Sequence, residues 1–348
     1  MKKIFLSLSS MLLFTVYASA MQKLEFEKYT PDWEERASRN LNIELFNTKL
    51  IGDVPEIQRA LTERYRFKKS SFMSNDGLKL ECLQRIVPDA EFTMICGAGF
   101  FPGNMTGCSS IIPMLPKKCN IIMYNNRGTG NSEQPWFYKL RMLWRYGINE
   151  YNDALGALNY ARDKSDKPII MHSYCANALH TTKAIEHLHK IGTLQNYALA
   201  GLFLDSAVSH LPTAIENIPD YKCSPWNTIK GFCARLFLWT LRYTIFHRWS
   251  MPAGEKVCIN TDVLTQTQIP THHFYAQEGD LFTPYSMTHG LYEEQLVKAK
   301  DPDLATCTIF PKSSHANHIL VWKKYYAGEL QKYIISFLRQ HRAKEQKA

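Results

Sequence analysis

The sequence lacks most of the short motifs that indicate a metal or nucleotide site. Its nine cysteines include no Cys-x-x-Cys pair and no Cys/His spacing suited to zinc. Gly128-Thr-Gly130 lacks the Walker spacing, and Gly97-Ala-Gly99 lacks the third glycine of the dinucleotide fingerprint. The chain also has no internal repeat and no low-complexity tract. These absences predict a globular protein that uses no metal, nucleotide or flavin cofactor.

Clustered basic residues are also scarce, although the 348-residue chain has a formal net charge of +9. The lysines and arginines are scattered, apart from short pairs such as Lys68-Lys69 and a basic C-terminus. A scattered basic surface is typical of ordinary solvated charge, with at most weak attraction to an anionic membrane surface. We therefore expect a small-molecule or lipid-like substrate and no nucleic-acid partner.

The N-terminus has the pattern of a secretory signal. A basic start at Met1-Lys-Lys precedes an apolar run, Ile4 to Tyr17, and a small-residue site at Ala18-Ser-Ala20. Residues 1–20 are therefore predicted to be a signal peptide that exports the protein to the periplasm or outside the cell. Two alternatives stay open: a membrane anchor through residues 4–20, and a true start at Met21. The dispersed cysteines fit either disulfides with one free thiol or a reducing compartment.

Apolar segments alternate with helical patterns along most of the chain. Residues 21–66 are predicted to be a mostly helical lead-in. Amphipathic patterns predict helices over Ile148–Arg162 and Leu320–Leu338. Strands are predicted at Phe67–Phe72, Leu78–Ile86, Phe92–Cys96, Asn120–Tyr124, Pro168–His172, Ala198–Leu204, His272–Ala276 and Cys307–Phe310. This alternation predicts an α/β fold with a mainly parallel twisted sheet and helices on both faces.

The segment from Lys167 to His180 reads as a buried strand, a tight turn and the start of a helix. Such a turn exposes a nucleophile at its tip and crowds the residues two before and two after it. With Ser173 at the tip, Met171 would have to fit a crowded position. With Cys175 at the tip, the crowded positions fall on Ser173 and Asn177, and the strand is longer. Sterics therefore favour Cys175, with Ser173 kept as the alternative.

Four motifs resemble one known family. They are Cys96-Gly-Ala-Gly-Phe100, Asn125-Asn-Arg-Gly-Thr-Gly-Asn-Ser132, the turn Ser173-Tyr-Cys-Ala-Asn177, and the segment Pro270 to Pro284 that contains Gly-Asp. Their order and spacing resemble the alpha/beta-hydrolase superfamily from about residue 67 to about residue 340. The resemblance implies a core formed by residues 67–207 and 266–340, with residues 208–265 inserted as a helical cap. The turn around Cys175 departs from the family pattern because it has no glycine.

The resemblance also implies a catalytic triad in the chain order nucleophile, acid, histidine. Carried over by position, these are Cys175, Asp280 and His315, with Ser173, Asp205 and His318 as the respective alternatives. The oxyanion hole would be formed by the backbone N–H groups of Ala176 and of the Ala98–Gly99 turn.

The predicted cap contains an aromatic helix whose apolar residues are spaced four, three, four and three apart. They are Phe232, Leu236, Trp239, Tyr243 and Phe246. Three interpretations remain: a helix packed on the core, a lining for an acyl pocket, and a helix lying on a membrane surface.

Together these patterns predict an acyl hydrolase or acyltransferase that acts on an ester or thioester with an apolar acyl group, through an acyl-enzyme. The alternatives are a catalytically inactive binding protein with the same fold, and a peripheral membrane-interaction protein.

Overall fold

The computed structural model describes residues 59, 61–97, 99, 105–134, 149–211, 213–214, 258–299, 301–313, 315 and 318–346. The predicted signal peptide lies outside the described residues. So does the predicted lead-in up to residue 58, whereas residues 59 and 61–63 are helical.

In the described part of the chain, eight strands form one sheet, in the spatial order β1-β2-β4-β3-β5-β6-β7-β8. Their bounds are β1 Lys68–Met73, β2 Lys79–Arg85, β3 Phe92–Gly97, β4 Cys119–Tyr124, β5 Ile169–Tyr174, β6 Leu199–Asp205, β7 Thr271–Glu278 and β8 Ala305–Lys312. Strand β2 is antiparallel to β1 and β4, and all other neighbours are parallel. The predicted α/β class and mainly parallel sheet are confirmed, with each strand within two residues of its predicted bounds.

The helices connect the parallel strands and cover the sheet. Their bounds are α1 Tyr151–Lys164, α2 Ala176–Lys190, α3 Thr261–Gln266, α4 Tyr285–Lys298, α5 His318–Val321 and α6 Lys323–Glu345. Short 3-10 segments lie at Met105–Met114, Leu194–Tyr197 and Pro302–Leu304. Every residue of β3, β4 and β5 is buried. Helices on both faces explain why these strands are continuous apolar runs rather than alternating ones.

Arg127, in the turn after β4, forms ion pairs with two carboxylates from other elements. Its guanidinium donates to Asp153 of α1 and to Asp76 of the β1–β2 turn, with N···O distances of 2.7 to 2.9 Å. Asp153 is fully buried. Since a buried charge is tolerated only when it is paired, this pair ties the turn, the hairpin and α1 together.

Most of the predicted cap lies outside the described residues, including its five aromatic and aliphatic positions from 232 to 246. At its C-terminal end, helix α3 packs against α2 and α4. Within the described part of the chain, no helix is both long enough and apolar enough to cross a bilayer.

Candidate active site

Cys175 occupies the sharp turn between β5 and α2. Its backbone dihedrals are φ 52° and ψ −123°, which are strained for a residue with a side chain. Its N–H donates to the carbonyl of Asp205 at the end of β6, at 2.8 Å. The side chain is a free thiol and is 4% exposed. A strained strand-to-helix turn that presents a thiol is the geometry of a nucleophile elbow.

The missing glycines of this elbow are compensated from a neighbouring strand. Asn177, two residues after the turn, lies against Gly97 at the end of β3, where any Cβ would overlap its side-chain amide. Likewise, a Cβ on Gly99 would lie 2.5 Å from the Cβ of Cys175 and 3.1 Å from its sulfur. The space that glycine usually provides within the elbow is therefore provided by Gly97 at the end of β3 and by Gly99 just after it.

Ser173 lies within β5 and is buried away from the tip. Its hydroxyl is hydrogen-bonded to the hydroxyl of Thr181 on α2, at 2.8 Å between oxygens. This contact ties the strand to the following helix, and it directs the Ser173 hydroxyl toward α2.

His315, in the loop after β8, is held by Asp280, in the turn after β7. The ring Nδ1 lies 2.9 Å from Asp280 Oδ2, and both side chains are buried. Since a carboxylate can only accept, Nδ1 carries a proton, and Nε2 is the ring nitrogen left to exchange a proton with another group. Asp280 Oδ1 accepts the backbone N–H groups of Phe282 and Thr283 at 3.0 and 2.8 Å. The acid is thereby fixed before it orients the imidazole.

The Cys175 sulfur lies close enough to His315 to affect its protonation. Burial lowers the pKa of the imidazole, but the charges and hydrogen bonds of Asp280 and Cys175 outweigh burial and raise it well above its ordinary value. His315 Nε2 makes no well-aligned hydrogen bond to any described residue. The sulfur and the ring are therefore neighbours through proximity and charge.

Comparisons with solved structures identify the fold that carries these residues. An esterase of Pyrococcus furiosus matches with a TM-score of 0.56 and 13% identity, over 78% of this chain and 91% of that chain. A thermophilic esterase of Thermogutta terrifontis matches with a TM-score of 0.50 and 14% identity, over 78% and 99%. An acylaminoacyl peptidase of Pyrococcus horikoshii matches with a TM-score of 0.52 and 16% identity, over 78% of this chain but only 41% of that one.

This chain has the alpha/beta-hydrolase fold. No protein-family model and no curated protein sequence matches the chain. The identities are low, so the likeness establishes the fold while the residues themselves must indicate the chemistry.

In this alpha/beta-hydrolase fold, two of the predicted oxyanion residues lie next to Cys175. Ala176 is the first residue of α2, where backbone N–H groups have no partner within the helix. Gly99 lies against Cys175 from the other side, and Ala98 lies outside the described residues.

The two alternatives, Asp205 and His318, lie together in a second buried pair. His318 Nε2 is 2.7 Å from Asp205 Oδ1, and the Tyr326 hydroxyl donates to Oδ2 at 2.6 Å. Burial raises the pKa of Asp205, but His318, His172 and Tyr326 outweigh it and lower that pKa below its ordinary value. Asp205 is therefore an ionised carboxylate that holds a different imidazole from the one beside Cys175.

Sequence reasoning missed Thr283 as part of the site. Its hydroxyl donates to Asp280 Oδ2 at 2.7 Å and lies 3.1 Å from His315 Nδ1. The available signal was its position three residues after a candidate acid, where a threonine can close the turn on the carboxylate. Among the described residues, no group of three or more His, Cys, Asp or Glu side chains could hold a metal ion.

Proposed function

We propose that this chain is an acyl hydrolase or acyltransferase that acts on esters or thioesters through an acyl-enzyme on Cys175. One observation carries the proposal: a thiol in a strained turn neighbours an imidazole that Asp280 orients. Nucleophile, base and orienting acid are the three parts that nucleophilic acyl transfer requires. The esterases that share this fold support the same reaction class.

The reaction would begin either with proton transfer from the Cys175 thiol to His315 Nε2, or with that proton already on the ring beside a thiolate, which the raised pKa of His315 favours. The thiolate then attacks the carbonyl carbon, and the N–H groups of Ala176 and Gly99 stabilise the resulting oxyanion. Next, the imidazolium gives its proton to the leaving group, and the acyl group remains on sulfur. Water or a second acceptor, deprotonated by Nε2, releases the acyl group and restores the thiol.

We further propose an apolar acyl substrate, bound beneath residues 208–265. The support is the aromatic spacing of Phe232, Leu236, Trp239, Tyr243 and Phe246, since apolar side chains line most pockets for apolar ligands. The same aromatic segment and the basic net charge support weak contact with a membrane surface. The N-terminal pattern supports export.

The first prediction concerns the nucleophile. Incubation with a short aryl ester or thioester should add one acyl mass to the wild type. In Cys175→Ala, acylation should fall by at least about 1000-fold, because the attacking atom is gone. Aryl and thioester donors are chosen because the Cys175 sulfur leaves a tetrahedral intermediate more readily than an alkoxide does. Intact-protein mass spectrometry measures the adduct.

Two control variants make this experiment decisive. Ser173→Ala should keep the adduct, because Ser173 contacts Thr181 on α2. Cys307→Ala removes a half-buried thiol of β8 and should also keep it. An adduct that survives in Cys175→Ala and disappears in Ser173→Ala would assign the nucleophile to the serine. No adduct in any form of the protein would favour the non-catalytic binding function.

A further inference from the structure

The Asp205 carboxylate is the centre of a buried polar network that contacts His318, at the start of α5. Besides His318 and Tyr326, the network includes His172 of β5, whose Nε2 lies 2.7 Å from the Tyr326 hydroxyl. Asp205, His318, Tyr326 and His172 are all fully buried. The network thus joins the ends of β5 and β6 to α5 and α6.

Asp205 also contacts the nucleophile turn through its backbone. Its carbonyl accepts the N–H of Cys175 at 2.8 Å, which is one of the bonds that hold the strained residue in place. His318, on the carboxylate side, begins α5 only three residues after His315. One residue therefore holds the turn that bears the thiol by its main chain and the loop that bears the imidazole by its side chain.

The next residue extends this connection to the acid. Ser206, with φ 48°, donates its N–H to the Phe274 carbonyl of β7 at 2.9 Å. Its own carbonyl lies 3.4 Å from the hydroxyl of Thr283, which in turn contacts Asp280. Asp205 and Ser206, at the end of β6, thus contact the groups that hold Cys175, His315 and Asp280 in place.

We propose that Asp205 is a positioning residue that sets the separation between the Cys175 sulfur and the His315 ring. Its side chain is fully buried, and it acts through His318 and the backbone N–H of Cys175. The physical reason is that proton transfer between thiol and imidazole depends steeply on distance and alignment, so a shift of about 1 Å can reduce the rate about 100-fold. The proposal rests on the proposed function, because acylation is its main readout.

Asp205→Asn tests the proposal by removing the charge while keeping the shape. The amide cannot accept from both His318 and Tyr326 in the same way, so the loop should shift. We expect the maximal acylation rate to fall about 10- to 100-fold, with the half-saturating concentration changed less than about threefold, since Asp205 does not contact substrate.

The matched control is Asp153→Asn, which also neutralises a fully buried, paired carboxylate, but at the Arg127 turn. Both variants should lose stability, because each leaves a buried partner without its charge, so acylation is normalised to the folded fraction measured by circular dichroism. A purely structural role for Asp205 would leave the two normalised rates equal, and that result would overturn the proposal.

A milder pair decides the question if Asp205→Asn does not fold. Tyr326→Phe removes only the hydroxyl that donates to Asp205, and Tyr197→Phe removes a buried hydroxyl that donates to Asn159. We expect acylation to fall about three- to tenfold in Tyr326→Phe relative to Tyr197→Phe. Rates within twofold of each other would overturn the proposal.

The proposed function and this inference fail in different ways. A wild type that forms no acyl-enzyme with any donor refutes the function. In that case, the rate of Cys175 alkylation by iodoacetamide still reports on thiol and imidazole alignment. It should be at least about fivefold lower in Tyr326→Phe than in Tyr197→Phe, because the imidazole promotes the thiolate. Equal rates would refute the positioning role.

Discussion

Asp280 and Asp205 each hold a buried imidazole, and the two pairs differ in what lies on the other side of the ring. The His315 ring neighbours the Cys175 sulfur, whereas the His318 ring stacks on Phe310 with centroids 4.5 Å apart. The His315 ring also meets Phe282 edge-on, with centroids 4.8 Å apart, whereas the His318 ring lies between Phe310 and Tyr326. The two imidazoles therefore differ in whether a sulfur lies beside them.

At this scale, the second prediction concerns Asp280→Asn. Without the carboxylate, the pKa of His315 should fall toward its ordinary value, because the largest favourable interaction of the imidazolium is lost while burial remains. Acylation should fall at least about 100-fold, since the amide can also favour the wrong ring tautomer. Histidine NMR titration and the mass adduct measure the two effects.

The control for this substitution is Asp166→Asn, which changes an exposed carboxylate that contacts Lys167. It should alter neither the pKa of His315 nor acylation. An unchanged pKa of His315 in Asp280→Asn would show that the carboxylate does not orient or charge the imidazole as inferred.

At the scale of elements, the end of β3 and the start of α2 share one small volume. The Asn177 side chain fills the space above Gly97, and it donates to the Tyr124 hydroxyl of β4 at 2.9 Å. The Thr181 hydroxyl donates to the side-chain oxygen Oδ1 of Asn177 at 3.2 Å. The elbow is therefore an assembly of β3, β4, β5 and α2 rather than a property of one turn.

The third prediction follows from this shared volume. Gly97→Ala should lower the free energy of unfolding by about 1–3 kcal/mol, because the new methyl group collides with Asn177. In Gly97→Ala/Asn177→Ala, the combined loss should be clearly smaller than the sum of the two single losses, because the second substitution relieves the collision. Urea unfolding measures all three variants.

Gly290→Ala in α4 is the control, because nothing lies within 4 Å of its added methyl group. It should be neutral or stabilising by up to about 1 kcal/mol. Strictly additive losses at positions 97 and 177 would contradict the shared-volume explanation of the glycine-poor elbow.

At the scale of the whole molecule, parallel strands bring distant segments to one edge of the sheet. Cys175 follows β5, Asp280 follows β7 and His315 follows β8. Because the carboxyl ends of parallel strands meet at one edge, residues more than 100 positions apart become neighbours there. Burial also keeps several histidines neutral, because it lowers their pKa.

The fourth prediction concerns acid stability. Burial lowers the pKa of His172 and His273 to about 4, and that of His180 to about 3. The unfolded chain binds these protons near pH 6.5, whereas the folded chain binds them only near pH 3 to 4. The stability they contribute is therefore present above pH 6.5 and is lost as the pH falls toward 4, by up to about 3 kcal/mol for each.

Urea unfolding between pH 7 and 4 measures this loss. His273→Gln should flatten the pH dependence, because it removes one buried site that protonates only on unfolding. His189→Gln changes an exposed ring and should leave the dependence unchanged. A wild-type free energy of unfolding that is constant over this range would contradict the inference that these buried histidines stay neutral in the folded protein.

Much of the fold was predictable because its signals are local. Continuous apolar runs bounded by Gly, Asn and Pro mark each core strand, and the helices between them require parallel pairing. The sterics of one turn favoured Cys175 over Ser173, whereas Asp280 and His315 came from the resemblance to the alpha/beta-hydrolase superfamily. Their catalytic roles remain predictions that the proposed experiments test.

The sequence by itself determined the order of strands and helices, and it restricted the candidate residues to a few loop positions. Only the tertiary structure decided which histidine neighbours the thiol, because His315 and His318 lie three residues apart and differ only in what packs around them. It also decided how an elbow without glycine is accommodated, since Gly97 and Asn177 are 80 positions apart. The physical reason is that distances between loops depend on packing across the sheet, which no local pattern encodes.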